Sequence, residues 1–315
     1  MSKVIITGGT GLIGHAIIKK LIAKGYEVVV LTRNPSQKFP PGLSNVILAK
    51  WIPSSGMIDH AVFEKADYVI HLAGAGVADK KWTAKRKKEI RDSRVQSSGL
   101  IVETLRKYSN NVKAVISASA IGWYGDADHT HLHGSRSGPF IETDPPANDF
   151  LGATCKAWEE NILPVTEIGK RLVILRIGIV LSPDGGALKE FINPLRFGIA
   201  AILGTGRQII SWIDIDDLAN MYIAALEDEN MQGVYNAVAP EPVSNKELVI
   251  QLARSRKRFY IPFKVPAFIL KILFGEMSVE ILKSADVSSR KIEEAGFKFK
   301  YPTIQDSLNK IAGKG

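Results

Sequence analysis

The sequence predicts an α/β fold: a doubly wound parallel sheet with a smaller C-terminal lobe. Three observations carry this expectation. Apolar strand-like runs alternate with helical stretches through roughly the first 180 residues. Those runs are nearly continuous in Val, Ile and Leu, as suits strands covered on both faces. After Leu181 the pattern gives way to short pieces punctuated by Pro and Gly, such as Ser182-Pro183-Asp184-Gly185-Gly186 and Leu203-Gly204-Thr205-Gly206.

Each element follows from its residues. Lys3 to Thr7 is a short apolar strand that runs into Gly8-Gly9-Thr10-Gly11-Leu12-Ile13-Gly14. The next helix puts Ile13, Ile17 and Leu21 on one face with Ile18 and Ile22 beside them, and Lys24-Gly25 closes it. Tyr26 to Leu31 reads as the second strand, Asn45 to Trp51 as the third and Asp67 to Gly74 as the fourth. Ser93 to Tyr108 is helical, Val112 to Ser119 is the fifth strand and Arg171 to Val180 the sixth. Residues 211–228 return to a strand-and-helix pattern that could rejoin the sheet. The division expected is therefore a Rossmann-type domain over residues 1–180, rejoined by 211–228, and a lobe over 181–315. Residues 181–210 and 235–300 would wall the substrate pocket, because ligands sit outside the carboxyl ends of parallel strands. Val265 to Phe274 is strongly apolar but too short to span a bilayer, so it reads as buried core or pocket wall.

Strand, glycine turn, helix, strand is the unit that sets a dinucleotide pyrophosphate on a helix N-terminus. Gly8 permits the tight turn, Gly11 lets backbone N–H groups approach phosphate, and Gly14 lets helix and strand lie close. The spacing is G-x-x-G-x-x-G rather than G-x-G-x-x-G. Thr7, Gly8, Gly9, Thr10, Gly11, Leu12, Ile13 and Gly14 are therefore the candidate phosphate-binding residues. An acid at the end of the second strand would take the ribose 2′-hydroxyl of NAD. Thr32-Arg33-Asn34-Pro35 stands there instead. Arg33 suits the 2′-phosphate of NADP, so NADP is the expected cofactor, with Thr32, Arg33 and Trp51 among its contacts.

Bulk properties narrow the class. The 315 residues are 45% hydrophobic and 23% charged, ordinary for a globular chain. Cys155 is the single cysteine, which excludes an internal disulfide, and it reads as a small buried hydrophobe. A strand beginning at Lys3 leaves no room for a leader, and no apolar run reaches membrane-spanning length; a cytoplasmic protein, free of membrane, is expected. The net charge of +9 comes from 41 basic and 32 acidic residues. The cluster Lys80, Lys81, Lys85, Arg86, Lys87 and Lys88 has acids beside it and only Trp82 as a stacking aromatic, so nucleic acid is not expected. A polar or anionic small molecule suits the positive field better, bound by a monomer or homodimer. His129, His131 and His133 alternate in a polar loop and are read as surface residues, with no metal assigned.

With these segments placed, the chain resembles the extended short-chain dehydrogenase/reductases, and within them an atypical epimerase-family branch. Thr7 to Gly14 matches T-G-x-x-G-x-x-G, and His71-Leu72-Ala73-Gly74 matches the H-L-A-G segment that borders the cofactor. Ser117 to Gly125 matches the S-x-S…Y-G strand end. Ser211 to Leu218 matches W-I-H-I-D-D-L with Asp214 in place of His. Pro266, Gly275-Glu276-Met277, Gly296-Phe297 and Tyr301-Pro302 match the branch's C-terminal module. The resemblance adds Leu72, Ala73 and Gly74 to the cofactor contacts.

Members that do chemistry carry Tyr-x-x-x-Lys. Here Lys156 aligns with the lysine, and the tyrosine position is Gly152, which cannot transfer a proton. Arg94 replaces an asparagine common in extended members. The resemblance thus implies Ser119 and Lys156 at the catalytic end, with Lys156 also on the nicotinamide ribose and Tyr124 as a surrogate acid; Glu159, a turn on, could pair with Lys156. Two functions follow: an NADP-dependent oxidoreductase or epimerase of a small polar substrate, or a non-catalytic NADP(H)-binding sensor or scaffold.

Overall fold

The computed structural model describes residues 1–37, 39–40, 42–43, 45–127, 138–256 and 259–313. The first half runs β1 (Lys3–Thr7), α1 (Leu12–Ala23), β2 (Glu27–Thr32), β3 (Ile47–Ile52), β4 (Met57–Ile58), β5 (Tyr68–His71), α2 (Ala84–Lys107), β6 (Ala114–Ala120) and α3 (Phe150–Ile162). It continues with β7 (Arg171–Ile177), β8 (Ile179–Leu181), α4 (Ala187–Leu195), β9 (Ile199–Leu203), β10 (Ile209–Ile210), β11 (Trp212–Asp214), α5 (Ile215–Glu227) and β12 (Gly233–Ala237). The last stretch holds β13 (Val243–Ser244), α6 (Asn245–Ser255), β14 (Ile261–Val265), α7 (Ala267–Phe274), α8 (Ser278–Leu282), α9 (Arg290–Glu294) and α10 (Ile304–Gly313).

Eight strands form the main sheet in the order β12-β7-β6-β5-β1-β2-β3-β4. Every pairing is parallel except β3 with β4. The order reverses at β1, which places a crevice at the carboxyl ends of β1 and β5. Alternate strand residues feed two cores. Val4, Ile6, Val28, Val30 and Ile116 meet α1 and α5 on one face. Ile5, Val29, Val69 and Val115 meet residues of α2 and α3 on the other. This is the doubly wound α/β architecture expected from the apolar runs.

Several boundaries differ from the sequence reading, each for a local reason. Helix α2 begins at Ala84, well before Ser93, because Thr83 caps it by accepting from Arg86 N at 3.1 Å. The basic cluster is thus largely its first turns. The sixth strand breaks at Gly178, whose added Cβ would lie 2.6 Å from Ser211 O. Beyond the break, β8 leaves the main sheet and pairs with β11. The chain regains the sheet through α5, packed on the first core, and through β12, which lies outside 211–228.

The C-terminal lobe has its own core, with Leu188, Leu195, Leu248, Leu252, Leu308 and Ile311 from α4, α6 and α10. Asp214 and Asp217 pin this lobe to the sheet. Asp214 accepts from Ser307 Oγ at 2.7 Å and Lys310 Nζ at 2.5 Å, while capping α5. Asp217 accepts from the Lys300 and Tyr301 amides. The exchange of His for Asp in that motif is therefore matched by a lysine far along the chain. Val265 to Phe274 is less buried than its composition suggested: Leu270 is enclosed, but Phe268, Ile272 and Leu273 are exposed. No helix among the described residues is long and apolar enough to cross a membrane.

Candidate functional site

The turn after β1 is shaped by what its glycines touch. Gly8 has φ +68°, and a Cβ there would lie 2.9 Å from the Leu72 carbonyl, so the turns after β1 and β5 are in contact. A Cβ on Gly14 would lie 2.5 Å from Gly8 O, so α1 rests directly on the turn. Gly11 is different. Its Cβ would meet only Gly8 O, at 3.4 Å, and otherwise open space. Gly11 also caps α1 with no side chain, and no acid stands in the first helical turn. Backbone N–H groups therefore face an open, electropositive space that a phosphate can fill. Thr10 and Gly11 are exposed, Leu12 and Ile13 half-exposed, and the Gly186 loop approaches Leu12 from the far side.

Thr7 ties the two turns together. Its Oγ1 accepts from Leu72 N at 3.1 Å and Ala73 N at 3.2 Å, and lies 2.8 Å from His71 Nδ1. With both acceptor sites taken, the hydroxyl donates to Nδ1, and His71 carries its proton on Nε2. That N–H faces Ser98 Oγ at 3.1 Å. Burial, then the nearby Arg94 charge, lowers the His71 pKa to about 3, so the ring is neutral. Thr32 Oγ1 accepts from the Asn34 amide, which folds the end of β2 back, and Arg33 is exposed with no ion pair among the described residues. Trp51 is 4% exposed and sits in the second core, which leaves no free face for an adenine ring.

The catalytic candidates are dispersed. Ser119 is 2% exposed and donates to Glu159 Oε1 at 2.6 Å. Glu159 in turn is forked by Arg176, with Nε and Nη2 each 2.9 Å from a carboxylate oxygen. Arg176 Nη1 donates to Tyr124 Oη, and Tyr124 Oη donates to Asn236 Oδ1 at 2.7 Å. Tyr124 is fully enclosed and stacks on Phe140. Burial raises its pKa to about 12 against the pull of Arg176. Its hydroxyl is fully engaged, and the chain Ser119–Glu159–Arg176–Tyr124–Asn236 is an internal strut between β6, α3, β7 and β12. Glu159 belongs to this strut and not to Lys156, as the sequence had suggested.

Lys156 is on the outer face of α3, where it faces Glu160 at 3.8 Å. The helix turns a different pair toward the end of β6. A Cβ on Gly122 would lie 3.2 Å from Leu151 Cβ and 3.8 Å from Cys155 Sγ. Leu151 and Cys155 are four residues apart, like the Tyr and Lys of the family motif, but shifted by one from Gly152 and Lys156. Gly152 is spent on packing: a Cβ there would lie 2.2 Å from Ala147 O. Burial pushes the Cys155 thiol up to about 12, so it offers no thiolate. The structure thus does not gather Ser119, Tyr124 and Lys156 around one point. It sets Leu151 and Cys155 by Gly122, and it stacks Arg94 on Trp158 where Arg94 abuts Gly74. In the sequence Arg94 is only a departure from the family pattern, and neither spacing nor charge pattern marks it or Trp158. His129, His131 and His133 lie outside the described residues, and no metal-binding cluster occurs among those described.

Comparison with known proteins agrees with this architecture. The profile of the NAD dependent epimerase/dehydratase family matches residues 4–237, and a domain of unknown function, DUF1731, matches residues 265–311. The Epimerase family protein SDR39U1 homolog, chloroplastic, of Arabidopsis thaliana is 32% identical, covering 98% of this chain and 86% of its own. An epimerase family protein of Staphylococcus saprophyticus is also 32% identical, covering 99% of both chains. The crystal structure of human epimerase family protein SDR39U1 with NADPH superposes with TM-score 0.85 at 27% identity, covering 99% of this chain and 100% of that one. UDP-glucose 4-epimerase of Thermotoga maritima, solved with UDP-glucose, shares the fold at TM-score 0.79 and 22% identity, covering 99% and 97%. The chain belongs to the NAD dependent epimerase/dehydratase family.

Proposed function

We propose that this protein is an NADP(H)-binding member of the family that works as a cofactor-dependent binding protein and not as a Tyr–Lys epimerase. The glycine turn fits the dinucleotide: the Gly11 position leaves room for a pyrophosphate against the uncapped start of α1. Leu12 and Ile13 would offer their amides, Arg33 the charge for a 2′-phosphate, and the Leu72–Gly74 turn the floor under the nicotinamide end. The human relative crystallised with NADPH supports the choice of NADP over NAD. Bound there, the nicotinamide supplies a hydride donor or acceptor.

The observation that carries the non-epimerase reading is the face of α3. The pair it turns toward the end of β6 is Leu151 and Cys155, which offers neither the tyrosine nor the lysine of the family motif, and Gly152 has no room for a side chain. Ser119 and Tyr124 are locked in the strut. The test is a fluorescence titration with NADPH and NADH, followed by a turnover assay with UDP-glucose and UDP-galactose. Preferential NADPH binding without sugar interconversion is expected. Robust interconversion would overturn the reading.

A further inference from the structure

Arg94 is a cation without a counter-ion among the described residues. No carboxylate lies within ion-pair distance of it there, although the side chain is partly buried between α2, α3 and the turn after β5. Its guanidinium is held, not loose. Both hydrogens of Nη1 are directed at backbone carbonyls, Ala75 O at 3.0 Å and Ile90 O at 2.9 Å. The plane rests on the Trp158 ring, with Cζ 4.8 Å from its centroid. Gly74 makes way for it, since a Cβ there would lie 3.0 Å from Cζ.

The other edge of the guanidinium is free. Nε and Nη2 have no hydrogen-bond partner among the described residues, and neither is sealed from solvent. That edge is the side-on fork which accepts a planar carboxylate through two parallel bonds. The same cluster contains a second donor without an acceptor, the buried Nε1 of Trp158. The exposed Arg94 edge can exchange its water for a ligand, whereas the sealed indole N–H adds only an unsatisfied donor to the wall behind it.

We propose that Arg94 is the ligand-recognition residue of this site, and that its Nε–Nη2 fork holds the carboxylate of a small organic acid beside the nicotinamide end. The inference rests on the cofactor cleft assigned above, because Arg94 abuts Gly74 at the carboxyl end of β5. The fork fixes the acid in orientation as well as position, since the guanidinium is already immobilised by Ala75, Ile90 and Trp158. Little ordering remains to be done when the ligand arrives.

The probe is oxamate, a small carboxylate, compared with its neutral diamide, oxamide. Each is titrated by thermal shift and calorimetry into the free and the NADPH-saturated protein, with ionic strength held constant by sodium chloride. Oxamate should stabilise the wild type and oxamide should not. Arg94→Gln should weaken oxamate at least tenfold while NADPH affinity stays within threefold. Arg94→Lys retains the charge without the fork; it should weaken oxamate severalfold, and it replaces the glutamine variant if that one does not fold. Equal responses to oxamate and oxamide would overturn the proposal, as would an oxamate response that survives Arg94→Gln. A loss confined to NADPH affinity would assign Arg94 to the cofactor and equally overturn it. If NADPH fails to bind but oxamate binds the free protein through Arg94, the acid site stands and the cofactor assignment falls.

Discussion

Gly11→Val and Gly14→Val should fail in opposite ways, and the glycine turn supplies the reason. Gly11 has φ −87° and ψ 172°, an extended conformation that valine adopts readily. Its Cβ would meet one atom at 3.4 Å, and the rest of the side chain would project into the space before α1. Replacing a glycine N-cap by an aliphatic residue costs about 1 kcal/mol of helix stability. Binding suffers more. A valine there displaces an anion from the amides of Leu12 and Ile13, and each hydrogen bond to a charged group contributes about 1.5–3 kcal/mol. Two such contacts amount to about 3–6 kcal/mol, or roughly a hundredfold to ten-thousandfold in Kd. Gly14→Val instead drives a Cβ to 2.5 Å from Gly8 O and 2.6 Å from Gly9 Cα. Backbone must move, so this variant loses stability first, by about 1–3 kcal/mol or more. The assay pairs thermal melting with NADPH fluorescence titration for both variants. A folded Gly11→Val protein with wild-type affinity would refute the placement of the pyrophosphate.

Arg33→Ala should reduce NADPH affinity by about 1.5–3 kcal/mol while leaving NADH affinity unchanged, because the lost contact is a charge-assisted phosphate bond; parallel titrations decide it. Tyr124→Phe should cost about 1–3 kcal/mol of stability by orphaning Asn236 Oδ1 and one Arg176 donor, yet leave NADPH Kd within threefold, as denaturant melts and titration would reveal. His71 predicts a pH signature. Its folded pKa of about 3 lies below the ordinary 6.5, so below pH 6.5 the unfolded chain takes up a proton that the folded one does not. Stability should therefore fall with acidification, by about 1.4 kcal/mol per pH unit between pH 6 and 4 from this group. His71→Gln should lack that share of the slope; identical slopes would contradict a buried neutral ring.

How far the sequence discloses this molecule depends on the range over which each feature is determined. The β1 turn and α1 were readable because three glycines, an apolar strand and a helical periodicity all lie within one short stretch. The sheet was readable because Val4 to Ile6 and Val28 to Leu31 are buried on both faces and therefore lack alternation. The face of α3 was not. Counting four residues back from Lys156 finds Gly152, but Gly152 packs on Ala147, and it is Leu151 and Cys155 that face the strand end. Glu159 looked like a local partner for Lys156, yet its partner is Arg176, on another strand. Asp214 in place of His is explained by Lys310, which lies far along the chain and donates to it. Each miss is a tertiary contact with no sequence-local signal. The same holds for Arg94, whose role depends on carbonyls and an indole brought together from three elements.

The most direct test of the central claim is a crystal structure of the protein with NADPH. The account predicts a pyrophosphate on the amides of Leu12 and Ile13 and a 2′-phosphate on Arg33. It places the nicotinamide end against Leu151 and Cys155 with Arg94 beside it, and with no tyrosine or lysine side chain in reach. A nicotinamide ribose held by Lys156, or a Tyr124 hydroxyl freed from Asn236 and turned toward the nicotinamide, would contradict it.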